Sequence, residues 1–212
     1  MLTPEDVGIL SFTLVIAITE KVPFASIYRM TIMRKMALDG GEYGINNYSI
    51  FRKYFGSHLV MYAILMSTFM GVYVIFYCIS IKLYLYQFQS SVPIFMILFF
   101  SSCFYNIRKF VYGYFNVTKQ MKKRSYILII GTIVSLISGY FLVKMGMGVI
   151  GIAVAMSLAF LIVSFYTFFT TFSQIFPQSI KKYLFILKIL VISSVLTYLL
   201  FVMNDMSIID YK

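Results

Sequence analysis

Uncharged apolar runs alternate with short basic connectors along this chain. Residues 59–81, 83–107, 125–143 and 145–180 contain no Asp, Glu, Lys or Arg. A helix of about 20 apolar residues crosses the hydrocarbon core of a bilayer. The pattern predicts six spans, over about residues 8–30, 58–81, 92–114, 126–143, 149–172 and 183–203, with a short tail at 204–212. The expected fold class is an all-α membrane protein: a helical bundle without a soluble domain. Open backbone groups in hydrocarbon cost several kcal/mol each, so a span closes its hydrogen bonds as a helix. A β-barrel would show alternating residues in ~10-residue segments, and the unbroken run 59–79 does not alternate.

Two connectors carry their own signals. The stretch 31–57 is polar around Asp39-Gly-Gly-Glu-Tyr-Gly and reads as a connector with a short interfacial helix near Tyr48–Phe55. Lys144-Met-Gly-Met-Gly reads as a tight turn, because glycine supplies the positive φ that such a turn needs. The fourth and fifth spans are therefore expected as an antiparallel hairpin. The first span is interrupted by Glu20, Lys21, Pro23 and Arg29, and Pro23 is expected to kink it.

Composition agrees with this reading. The chain is 61% hydrophobic and 12% charged, whereas a soluble domain carries about 25% charged residues. Its net charge of +11 would suggest nucleic acid on a soluble protein. Here 14 of the 18 basic residues fall in alternate connectors, around 29–53, 108–124 and 181–188. That distribution places those three connectors in the cytoplasm and both termini outside, so no nucleic-acid partner is expected. Met-Leu-Thr-Pro-Glu-Asp has no basic n-region, so a cleavable signal peptide is not expected. Cys78 and Cys103 lie in apolar runs and read as packing residues.

Little in the sequence suggests catalysis. The one histidine, His58, falls at a predicted membrane boundary. There is no paired-carboxylate, phosphate-loop or metal-ligand spacing, so neither an enzyme nor a cofactor is expected. Charges inside or bordering the spans are more informative, because they tend to face a cavity or a partner. Lys21 and Arg29 stand eight residues apart on a similar helix face and could line one polar track. Alternatively, Lys21 snorkels and Arg29 belongs to the cytoplasmic rim. Arg108 and Lys109 close the third span, either as topological charges or as contacts for a lipid phosphate. Lys188 reads as a snorkelling lysine. The candidate head-group contacts are thus Lys21, Arg29, Arg108 and Lys109, with Glu20 as an ion-pair partner or coupling carboxylate.

Three segments carry a family resemblance. Leu2-Thr-Pro-Glu-Asp-Val-Gly-Ile-Leu-Ser-Phe resembles a helix entry, and Tyr114-Phe-Asn-Val-Thr-Lys-Gln-Met-Lys-Lys-Arg-Ser-Tyr a cytoplasmic loop. Tyr140-Phe-Leu-Val-Lys-Met-Gly-Met-Gly-Val-Ile-Gly-Ile-Ala-Val-Ala resembles a hairpin whose second helix opens with small residues. All three are similar to segments of polysaccharide flippases of the multidrug/oligosaccharidyl-lipid/polysaccharide exporter superfamily, in the same order. The resemblance implies a MATE-like C-terminal lobe, with the first five spans as helices eight to twelve and the sixth as a thirteenth. It implies a polyprenyl-pyrophosphate-linked oligosaccharide as substrate and the cytoplasmic membrane as location, with export serving surface polysaccharide (O-antigen or capsule) synthesis. It also implies partners in membrane lipids and in an N-terminal lobe that this chain lacks, so a fragment is expected. Two alternatives stand beside it. A glycan-assembly enzyme, polymerase or acyltransferase, would need a large outer loop, and 82–91 and 144–148 are short. A non-transporting subunit or remnant would insert without activity.

Overall fold

The computed structural model describes residues 3–18, 23–43 and 48–175. Glu20, Lys21, the expected sixth span and the tail lie outside the described residues. Among the described residues the secondary structure is helical throughout, with no strand.

Helix α1 (Pro4–Ile18) opens on a reciprocal cap. The Thr3 amide donates to Asp6 Oδ2 at 2.9 Å, and the Asp6 amide donates to Thr3 Oγ1 at 3.2 Å. The Thr3 amide also holds the Asp6 carboxyl below its ordinary pKa, since the bond favours the ionised form. Helix α2 covers Pro23–Tyr43. Residues 19–22, between α1 and α2, lie outside the described residues, and the kink expected at Pro23 falls there. Helix α2 also continues through residues 31–43, read above as connector. Met, Arg, Lys, Ala and Leu between Met30 and Leu38 are good helix formers whatever their polarity. Helix α3 (Tyr48–Leu83) is one element of 36 residues, so no separate interfacial helix precedes it.

A single turn at Tyr86–Phe88 leads to α4 (Ser91–Val117). Helix α4 ends with Lys119 at φ +56° and the Gln120 amide donating to the Phe115 carbonyl at 2.9 Å. This is the 6→1 closure of a Schellman motif, with lysine where glycine is usual. Helix α5 (Met121–Leu142) follows at once, then a turn at Val143–Met147 and helix α6 (Gly148–Ile175). In that turn Gly146 has φ +87° and Gly148 φ +53°, as the glycine spacing requires.

Among the described residues three stretches are long and apolar enough to cross a membrane: His58–Leu83, Ser91–Asn116 and Met121–Ile175. The last has 55 residues, about 82 Å as one rod. The two positive-φ glycines fold it back into α5 and α6.

Helix α4 is the hub and packs against each of the other five described helices. Within the bundle 72% of its apolar stretch is buried, against 44% for α3. Helix α3 runs antiparallel to it, with Tyr77 stacked on Phe95 at 3.8 Å and Tyr62 tilted against Phe110 at 5.0 Å. Helix α6 runs parallel to α4, since Ser101 meets Ser157 and Tyr114 meets Gln174. Helix α5 lies antiparallel to α6: a Cβ on Gly139 would stand 3.6 Å from Ala155, and one on Gly131 2.3 Å from Val163. Two apolar clusters stack along the bundle. Residues of α1 join the one around Phe95 and Val74, and residues of α2 the one around Tyr62 and Phe110.

Candidate functional site

Residues three and four apart share a helix face. On α4 that spacing aligns Ser101, Tyr105, Arg108 and Tyr112. On α6 it aligns Ser157, Phe160, Ser164, Thr167, Thr171 and Gln174. The two helices are parallel, so these rows form a polar seam between them. Its two ends are closed by hydrogen bonds. At one end Ser101 Oγ donates to Ser157 Oγ at 3.0 Å, and Ser157 Oγ donates to the Ile97 carbonyl at 2.9 Å. At the other, Tyr114 Oη donates to Gln174 Oε1 at 3.1 Å, and Gln174 Nε2 donates to Gln120 Oε1 at 3.2 Å.

The middle of the seam is unsatisfied. Arg108 is 2% exposed. Among the described residues its Nε, the hydroxyls of Tyr112 and Ser164, and Thr171 Oγ1 are buried with no partner in hydrogen-bonding geometry, the Tyr112 hydroxyl having that of Thr167 beside it. An unpaired buried polar group costs about 1–3 kcal/mol, and a charged one more. All four such atoms sit on α4 or α6, so the cost is concentrated in this one interface.

Cations and rings alternate through the site. Lys109 Nζ and the Arg108 guanidinium each lie 4.7 Å from the Tyr105 ring centre. Arg108 lies 5.0 Å from the Tyr112 ring and Arg124 of α5 lies 4.8 Å from it. The tight α4–α5 turn positions Arg124 here, by returning the first turn of α5 beside the end of α4. Lys109 Nζ donates to Asn106 Oδ1 at 2.7 Å, and Arg124 Nη1 to Asn116 Oδ1 at 3.3 Å. The ladder holds three cations, and no Asp or Glu occurs anywhere in residues 43–204. A cation–π contact contributes about 0.5–2 kcal/mol. Desolvating an ion costs several kcal/mol, so the rings alone do not compensate Arg108. The arrangement suits an anion, with Arg124 half-buried at its mouth and Arg108 enclosed at its inner end.

The structure thus brings Arg108 and Lys109 together through Tyr105. It leaves Arg29 elsewhere: half-buried on α2, within electrostatic reach of the Tyr62 hydroxyl. Tyr62 packs on Phe110, which lies about 200° around α4 from Arg108. His58 belongs to the same α2–α3 contact, with Nδ1 2.7 Å from Tyr28 Oη. Sequence reasoning missed Arg124, Tyr105 and Tyr112 as site residues, along with the hydroxyls of α6. The available signal was the three-and-four spacing of polar residues from 157 to 174, inside a run read only as apolar. No protein family matches the chain, and no curated protein or solved structure matches it.

Proposed function

We propose that this chain is a multi-pass protein of the cytoplasmic membrane and forms part of a flippase for a polyprenyl-pyrophosphate-linked oligosaccharide. In this reading the pyrophosphate is the counter-ion of the ladder, and Arg108, Lys109 and Arg124 bind it as the head group enters from the cytoplasmic side. One observation carries the reading: Arg108 is a buried cation in a segment devoid of carboxylates. Three features support it. The basic residues fall in alternate connectors. The long apolar helices suit a bilayer. The quoted segments resemble polysaccharide flippases. Alternating access, two lobes rocking about a site near the bilayer midplane, is the mechanism that resemblance implies. An N-terminal lobe would then be a partner of this chain.

The test is a double substitution, Arg108→Gln with Lys109→Gln, in cells that depend on this chain for surface polysaccharide. Each lost charged hydrogen bond is worth about 1.5–3 kcal/mol, so export should fall about tenfold or more while the amount of inserted protein is unchanged. Normal surface polysaccharide in the double variant would rule the reading out.

A further inference from the structure

A groove of about 400 Å³ opens beside the polar seam, lined by Phe104 of α4 and by Leu161, Ile162, Ser164, Phe165 and Phe168 of α6. Its size lies within the roughly 300–1,000 Å³ of ordinary ligand sites. Ile162 and Phe165 are exposed, so among the described residues the groove faces outward. Tyr166 also lines it, and the surface it presents is almost wholly apolar, since the Ser164 Oγ is buried. An almost wholly apolar wall suits a long hydrocarbon chain that carries its polar group at one end.

The neighbouring charge identifies that end. Phe104 stands one turn before Arg108 on the same face of α4, so the groove adjoins the inner end of the ladder. Arg108 lies eight residues before Asn116, where the apolar stretch of α4 ends, which is about 12 Å along the axis. Leu161 lies near the midpoint of α6. A lipid entering at the basic end would meet Arg124 first and Arg108 next, and its chain would then run on along the groove toward the midpoint of α6.

We infer that the groove between α4 and α6 binds the proximal hydrocarbon chain of a lipid phosphate whose phosphate is held by Arg108 and Arg124. The inference rests on the proposed function, for it assigns the tail of the same substrate to this chain instead of to bulk lipid. It predicts recognition of head and tail by one helix pair. Ile162→Trp would fill the groove from its exposed side without disturbing the packed seam.

The experiment uses the full chain, purified in detergent, and a phosphatidic acid with a diazirine in its acyl chain. Label should concentrate on residues 161–168. Ile162→Trp should reduce it about tenfold, equivalent to about 1.4 kcal/mol, and Arg108→Gln should reduce it similarly. Binding of inorganic pyrophosphate, measured by calorimetry, should be lost in Arg108→Gln and kept in Ile162→Trp. Label spread evenly over the outward helix faces, with pyrophosphate binding intact, overturns the groove and leaves the anion site standing. Equal labelling by the neutral diacylglycerol analogue also overturns it, because the head would then play no part. Absence of pyrophosphate binding in the unaltered chain sinks the proposed function and this inference together. A disulfide between Ile162→Cys and a cysteine placed in 183–203 would show the chain's own last span in the groove, and would equally overturn it.

Discussion

Toward α5, helix α6 presents Gly151, Ala155 and Val163 in a four-residue row, and α5 answers with Leu142, Gly139 and Gly131. Toward α4 it carries Ser157, Ser164, Thr167 and Thr171, and α4 answers with Ser101, Arg108 and Tyr112. The first interface is dry and close, in the manner of small-residue helix pairs in membranes. The second retains four unsatisfied polar atoms that apolar side chains would have avoided. Natural sequences tolerate such local cost mainly at functional sites. One helix thus has a face that holds the fold together and a face that departs from best packing, and the second is where function is to be sought.

Three substitutions test the contrast, in descending order of effect. Replacing Arg108 with Met removes an unpaired buried charge and keeps most of the volume. Stability of the purified chain in detergent should rise, by about 1–4 kcal/mol, as read by denaturant unfolding. A loss of stability would mean that Arg108 is structural, and the two interfaces would no longer differ in kind. Replacing Gly131 with Val sets a branched side chain against Val163, which a single Cβ would already approach to 2.3 Å. Overpacking of this sort costs about 1–3 kcal/mol, and an unchanged unfolding curve would show that α5 docks loosely. Replacing Lys119 with Gly relieves the left-handed backbone at the α4–α5 turn. The strain there is about 1–2 kcal/mol, partly offset by glycine's greater freedom when unfolded. A gain of about 0.5 kcal/mol is expected with pyrophosphate binding unaltered, which separates general stabilisation from effects at the ladder.

The α5–α6 hairpin was legible because glycine is distinctive: two of them in Lys144-Met-Gly-Met-Gly fix a turn that few other residues permit. The apolar helices at 58–83, 91–116 and 121–175 were legible for the same kind of reason, since length and hydropathy act locally. Residues 31–43 were misread because polarity reports what surrounds a helix, whereas Met, Lys, Arg and Ala keep the backbone helical. The ladder was half legible. Arg108 and Lys109 stand out as charges, but their alignment with Arg124 depends on how tightly α4 turns into α5, and their rings depend on which face meets α6. Glu20 and Lys21 fall outside the described residues, so their part in any site stays as the sequence alone frames it.

Helix α3 extends ten residues, Tyr48–Ser57, before its apolar stretch begins at His58. With no break at the boundary, that extension of about 15 Å is a rigid lever on the packed part of the helix. A rocking of α3 by 10° would sweep its tip by about 3 Å, carrying Arg52 and Lys53 with it. Small motions among the packed helices are thereby magnified at the basic end, where a label on Tyr48 would register them as displacement.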